Sequence, residues 1–227
     1  MKDITLSRAA LVAAFALILM AILAPIADFG ILQKIIVPDD AARTSANIVA
    51  SERSFRWAIV IFMIVAVLDV IVAWALYVFL KPVNASLSLL TAWLRIIYAT
   101  MLAVVSINLI NALQFVSEAT YLSSLRVEQL QAHILISLRS FSQGWEIGLI
   151  IFGFHLLMLG YLMFKAGFMR RILGVLIMLA ALGYLVDGFG MILSASYQVN
   201  VAMFTFFGEV VLIFWLLIQG RKVHEMS

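Results

Sequence analysis

The sequence predicts an all-α fold, a polytopic membrane helix bundle with six transmembrane helices and two short outer amphipathic helices. Three observations point there. The 227 residues are 65% hydrophobic and only 12% charged, with a mean hydropathy of +1.13; a soluble domain is nearer half apolar and a quarter charged. Six apolar stretches each approach the roughly 20 helical residues that cross about 30 Å of hydrocarbon. Nearly every one of them carries an ionisable residue inside it or at its rim, in order Asp28, Asp69, Arg95, His155, Asp187 and Glu209.

The spans are expected near 9–30, 57–79, 86–115, 147–165, 172–193 and 201–219. They must be helical, because lipid satisfies no bare backbone group and the runs are too long for barrel strands. Arg8 followed by Ala9–Leu23 resembles a signal peptide, with a weak cleavage site around Ala24 and Ala27. Five further spans follow, which favours an uncleaved first helix. Pro25 predicts a kink near its end. After Pro38, Asp39 is placed to cap a short helix through about Ser51, with Ala42, Ala46 and Val49 on one side. Spans two and three are joined by a turn at 80–85, and spans four and five by one at 166–171.

Between spans three and four, Val127, Leu130, Ile134, Leu138 and Phe141 recur at three- and four-residue steps, while Glu128, Gln131, His133 and Ser137 take the other positions. That pattern predicts an amphipathic helix over 126–142, either anchored in the interface or lying over the bundle as a gating lid. Spans two and three contain no glycine. Gly153 and Gly160, seven apart in span four, share nearly one face and invite a close helix neighbour. Arg53-Ser54-Phe55 before Trp57 is echoed by Arg139-Ser140-Phe141 before Trp145, and Tyr77/Lys81 by Tyr161/Lys165. Parallel duplication and coincidence both account for so few matches. With little chain left outside the spans, residues 1–227 are read as one transmembrane domain.

Six spans put both termini on one side. That side carries Lys2, Arg8, Lys81, Lys165, Arg170, Arg171, Arg221 and Lys222, against Asp3 and Glu225. Opposite lie Lys34, Arg43, Arg53, Arg56, Arg126 and Arg139, balanced by Asp39, Asp40, Glu52, Glu118, Glu128 and Glu146. Because Lys and Arg in short flanking loops set orientation, both termini are expected in the cytoplasm and the protein in the cell membrane. A formal charge of +3 is too small and scattered for a nucleic-acid partner. With no cysteine, disulfides, thiol nucleophiles and cysteine-held iron–sulfur clusters are excluded.

The intramembrane charges form the candidate site. Each costs roughly 2.5–3.5 kcal/mol at mid-bilayer, so they are expected to face one another or a wet cavity. Asp69 lies twelve residues before Lys81 and Arg95 thirteen after Pro82, so at about 1.5 Å per residue both sit roughly 20 Å from the same turn. An ion pair there is either an inner gate or a register lock between spans two and three. The same count around Ser196 puts Asp187 and Glu209 at similar depths, where two neighbouring carboxylates would share a proton. His155 falls near mid-membrane and is read as a proton relay, a metal ligand or a plain hydrogen-bonding group. A mixed site of His155 with Asp69, Asp187 or Glu209 would suit iron, manganese or zinc. Asn108 and Asn111 make a supporting polar stripe on span three, and Asp28 sits near the boundary of span one.

The local patterns resemble a known family. Pro38-Asp39-Asp40-Ala41-Ala42 with Thr44, Asn47-Ile48 and Ser51-Glu52…Phe55-Arg56 carry the likeness first, then Leu68-Asp69 and Leu80-Lys81-Pro82-Val83-Asn84. The most specific stretch is Phe152-Gly153-Phe154-His155…Leu159-Gly160-Tyr161…Phe164-Lys165-Ala166-Gly167, continuing to Ile172-Leu173-Gly174. These resemble the uncharacterised prokaryotic membrane family catalogued as domain of unknown function 4386. Where that family usually has proline before Arg171, this chain has Arg170, which makes the turn more basic. The resemblance implies a small multi-helix membrane protein and brings no reaction, ligand or cofactor.

No phosphate-cradling glycine loop, zinc-binding His-Glu-x-x-His or nucleophile elbow occurs in the sequence. The leading expectation is therefore a non-enzymatic membrane protein whose polar cluster (Asp69, Arg95, His155, Asp187, Glu209) handles a small solute, ion or proton. An intramembrane enzyme or metal- and cofactor-binding protein centred on His155 is the second expectation. A structural or partner-binding protein is the third. The lipid bilayer is the partner the composition itself names; the sequence specifies no cofactor and no oligomeric state.

Overall fold

The computed structural model describes residues 4–117, 122–194 and 196–223. Lys2, Asp3, Glu118 and Glu225, which entered the charge balance, lie outside the described residues. Every longer regular element among the described residues is helical. In order they are α1 (Leu6–Pro25), a π-helical stretch (Ile26–Leu32), α2 (Gln33–Ile35), α3 (Ala41–Ala50) and α4 (Glu52–Leu80). Then follow α5 (Ala85–Val105), α6 (Ile107–Phe115), α7 (Val127–Lys165), α8 (Arg171–Leu193), α9 (Ala202–Thr205) and α10 (Phe207–Ile218).

Among the described residues six helical runs are long and apolar enough to cross a membrane: Leu6–Ile35, Glu52–Leu80, Ala85–Phe115, Val127–Lys165, Arg171–Leu193 and Ala202–Lys222. They leave Phe15, Phe29, Trp57, Trp93, Phe204 and Phe207 exposed on the chain's own surface. Large apolar side chains in that position need lipid as their solvent. The chain is an integral membrane protein with six spans.

Two elements differ from the sequence expectation. The amphipathic segment over 126–142 is not a separate helix; it forms the opening turns of α7, an uninterrupted helix of 39 residues. The polar Gln143-Gly144-Trp145-Glu146 reads as a boundary in sequence, yet it contains no proline. A single glycine does not break a helix held by packing, and a Cβ at Gly144 would fall 2.4 Å from Val105 Cγ1, so the backbone there lies hard against its neighbour. Secondly, the cap of α3 is Asp40 rather than Asp39. The Asp40 carboxylate accepts from Arg43 N at 2.8 Å, while Asp39 turns the chain with φ 59°, a left-handed conformation that Asp tolerates better than most residues.

Breaks within the spans have local causes. Pro25 has no N–H to give the preceding turn, and the helix widens just after it. Gln33 N bonds Asp28 O and the Gln33 side chain donates to Asp28 Oδ2 at 3.0 Å, both at the five-residue step of a π-helix. The junction of α5 and α6 falls at Ser106, whose hydroxyl donates back to Leu102 O at 2.7 Å. Asn108 Nδ2 donates to Val105 O at 3.0 Å. Side chains that compete for helix carbonyls in this way bend helices.

The chain divides into two compact units. One comprises Met20–Ala66 and Thr100–Trp145. Its core is built on Ile48, Phe55, Phe62, Leu102, Leu109, Ile134 and Phe141, with the Phe62 ring 5.1 Å from Phe141 and 5.4 Å from Trp145. Fully buried Thr44 accepts from Val37 N and donates to Val37 O, and Asn47 Nδ2 donates to Ile35 O. Those bonds satisfy the backbone where the first span ends.

The other unit comprises Met1–Leu19, Val67–Ala99 and Glu146–Ser227. At its α4–α5 turn, Asn84 Oδ1 caps Leu87 N and Ser88 Oγ donates to Tyr77 O at 3.0 Å. Its α7–α8 contact runs along small residues. A Cβ at Gly160 would meet Gly174 O at 2.7 Å, and one at Gly174 would meet Gly160 O at 2.5 Å. A Cβ at Gly153 would meet Leu185 Cγ at 2.9 Å and Ala181 O at 3.3 Å. The two glycines of α7 thus serve one face turned to α8, as their spacing predicts.

Gly160→Ala is expected to cost about 1–3 kcal/mol, because two of the obstructing atoms, Gly174 O and Met178 N, are backbone and have nowhere to go. Gly167, with nothing within 4 Å of its would-be Cβ, should accept alanine within about 0.5 kcal/mol. Thermal unfolding of both variants in detergent checks the contrast.

Candidate functional site

The polar centre lies in the second unit described. Asp69 on α4, Arg95 on α5 and His155 on α7 are 0%, 3% and 0% exposed, so water does not reach them from the surface. Arg95 Nη2 sits 2.7 Å from Asp69 Oδ1, and its other terminal nitrogen, Nη1, lies 3.2 Å from His155 Nε2. Across the ring, His155 Nδ1 is 2.8 Å from Thr91 O. A carbonyl only accepts and a guanidinium only donates. The partners therefore assign the imidazole: Nδ1 carries the hydrogen, Nε2 offers its lone pair to Arg95, and the ring is neutral.

Burial of one carboxylate and one guanidinium is tolerable only as a pair. The pair here is incomplete. Among the described residues Asp69 Oδ2 and Arg95 Nε, both buried, make no hydrogen bond, while Asp69 Oδ1 is taken up by its short contact with Arg95 Nη2. Phe152 partly compensates. Its ring lies 5.3 Å from the guanidinium carbon and packs against Tyr98, His155 and Tyr184 at 4.9, 5.6 and 5.4 Å. An aromatic face over a desolvated cation contributes attraction without a donor or acceptor.

Glu209, partly buried on α10, accepts from the Tyr184 hydroxyl at 3.0 Å, and both Arg95 and Asp69 act on it electrostatically. Asp187 behaves differently. Its carboxylate accepts from Val201 N at 2.9 Å, Ala202 N at 2.7 Å and the Tyr197 hydroxyl at 2.6 Å. It closes the α8–α9 connection and caps the start of the last span, as an anion at a helix N-terminus does. The sequence depths put Asp187 and Glu209 on one level, but each has its own tyrosine partner, so the expected shared proton is replaced by two separate bonds. Asn108 and Asn111 belong to the other unit, as do Asp28 with Gln33 and His133, which stacks on Phe115 at 5.0 Å.

Among the described residues no three His, Asp or Glu side chains converge as metal ligands. The expected mixed site of His155 with carboxylates does not form, because Arg95 occupies Nε2. A recess beside His155, lined by Ala73, Leu76, Tyr77, Ser88, Thr91 and Ala92 among others, has no room for a water molecule. Thr91, Phe152, Tyr184 and Tyr197 escape a search for charge. For the two tyrosines the signal was the phenol, which needs a partner when buried; Thr91 acts through a backbone carbonyl that no pattern reveals, and Phe152 through its ring face.

Arg95→Met should destabilise the protein by about 3–5 kcal/mol by leaving Asp69 charged and alone, whereas Asp69→Leu combined with Arg95→Met should recover most of that loss. A double-mutant cycle of thermal unfolding in detergent measures both. Outside the spans, the hydrogen bond to Asp187 pushes the Tyr197 phenol up to about 12. A folded-state value above the unfolded one means this contribution is whole below about pH 10 and lost as pH rises through the folded value. An alkaline step in stability between those limits, absent from Tyr197→Phe, is the expected titration.

Comparison with known proteins shows the chain's family. An uncharacterised protein of Archaeoglobus fulgidus is 35% identical over 170 residues, which are 75% of this chain and 88% of the relative. No solved structure matches. The family described as "Domain of unknown function (DUF4386)" matches residues 12–220, a stretch that contains all six spans' cores and every residue of the polar centre, and the chain belongs to that family.

Proposed function

We propose that this is a non-enzymatic protein of the cell membrane, with both termini in the cytoplasm, whose buried polar centre handles a small solute, ion or proton. The observation that carries the reading is the unspent bonding capacity at Asp69 Oδ2 and Arg95 Nε. A polar network kept only as a static tie completes its bonds, since each buried unsatisfied group is costly. One that leaves an acceptor and a donor open beside each other is suited to a transient polar guest. The described cations Arg8, Lys81, Lys165, Arg170, Arg171, Arg221 and Lys222 favour the stated orientation. On the opposite side Arg56 and Arg139 are paired with Glu52 and Asp39.

The purified protein reconstituted in vesicles is expected to carry a flux driven by a pH or ion gradient, and Asp69→Asn or Arg95→Gln to abolish it. Wild-type vesicles no leakier than empty ones would overturn the reading. One observation favours a second reading, a register lock without transport: the recess beside His155 admits no water. In that case both substitutions alter stability and leave permeability untouched.

A further inference from the structure

The charges around Phe152 do not balance. Two carboxylates, Asp69 and Glu209, stand near one guanidinium, Arg95, and one imidazole that its partners assign as neutral. Asp69, sealed and 2.7 Å from Arg95, takes up that cation. Glu209 then has no cation of its own among the described residues, and its one side-chain partner is the Tyr184 hydroxyl on Oε1. A carboxylate in apolar surroundings without a countercharge is neutralised by a proton or a bound cation.

The geometry distinguishes these. A hydroxyl hydrogen already points at Glu209 Oε1, and a metal ion needs oxygen lone pairs, not a donor, around it. No group of three His, Asp or Glu side chains converges there among the described residues. The other oxygen, Oε2, is left open by Tyr184 and is the atom on which a proton is held. The two carboxylates also differ in burial, Asp69 being fully enclosed and Glu209 only partly so. Beside it, Gly208 presses α10 onto α8; a Cβ there would lie 2.5 Å from Leu176 O. That contact holds α10 close against α8, the helix that carries Tyr184.

We propose that Glu209 is the proton-exchanging group of the polar centre, holding a proton on Oε2 while Tyr184 donates to Oε1. This deepens the transport reading and rests on it for its purpose, though not for its chemistry. On release the Oε2–H bond breaks and the proton passes to an acceptor water. The carboxylate left behind is stabilised by Tyr184, with Arg95 within electrostatic range and Asp69 opposing it. His155 takes no part, since both ring nitrogens are committed.

Infrared difference spectra of the full chain in lipid, taken between acidic and alkaline buffer, test the proposal. Wild type is expected to show a protonated-carboxyl C=O band that disappears as pH rises. Asp69→Asn should keep the band, Tyr184→Phe should shift its frequency, and Glu209→Gln should lose it. A band unchanged in Glu209→Gln, or no titrating carboxyl band in wild type, overturns the proposal. Should Glu209→Gln not fold, an unshifted band in Tyr184→Phe overturns it equally. A titrating band with no vesicle flux sustains proton exchange at Glu209 and removes only the transport reading; flux without the band does the reverse.

Discussion

Asp69 and Arg95 hold opposite charges 2.7 Å apart where neither meets water, and that pairing disciplines the helices around it. Each charge alone would be a severe penalty in this medium, so α4 and α5 are held to the one register in which the two meet. Sliding either helix by one residue turns its side chains by about 100° and separates the pair. His155 extends the same constraint to α7, because its ring bridges the Arg95 guanidinium and the Thr91 carbonyl. Three spans are thus aligned by four groups, with Phe152 filling the space between them.

Small residues make the arrangement physically attainable. Apolar side chains gain nothing by leaving lipid for another helix, so close packing must supply the attraction. The glycines of α7 and α8 meet backbone to backbone, and Ala9, Ala10, Ala13 and Ala14 are all fully buried along α1. Phe55, Phe62 and Phe79 are among the bulky side chains that are buried, while Phe15, Trp57, Trp93 and Phe204 are left exposed for lipid. The recess beside His155 is correspondingly tight, with no room for a water molecule.

Much of this was legible in the sequence, for identifiable reasons. Hydropathy located the spans because solvent chemistry, not subtle preference, dictates them. Counting from the Lys81-Pro82 turn put Asp69 and Arg95 on one level because a hairpin fixes the zero of both helices. Gly153 and Gly160 declared their shared face through simple spacing. The failures are equally specific. A helix continuing through Gln143–Glu146 was hidden because polar residues are also what a loop would contain. Asp187 and Glu209 shared a depth but not a partner, since depth along a helix says nothing about which way a side chain faces. Tyr184 and Tyr197 carried no charge to draw notice, and Thr91 acts through its main chain, which sequence pattern does not distinguish.

The π-helical stretch from Ile26 to Leu32 has a consequence for the length of the first span. Such a stretch accommodates one residue more than an α-helical path between the same two ends. Ala27 and Leu32 within it, and Ile35 just after it, are buried in the core of their own unit. Removing one residue from 26–32 would restore regular winding there, at the expense of the Asp28–Gln33 bond. The first span is therefore a spliced helix whose wide turn is the place to absorb a one-residue change in length.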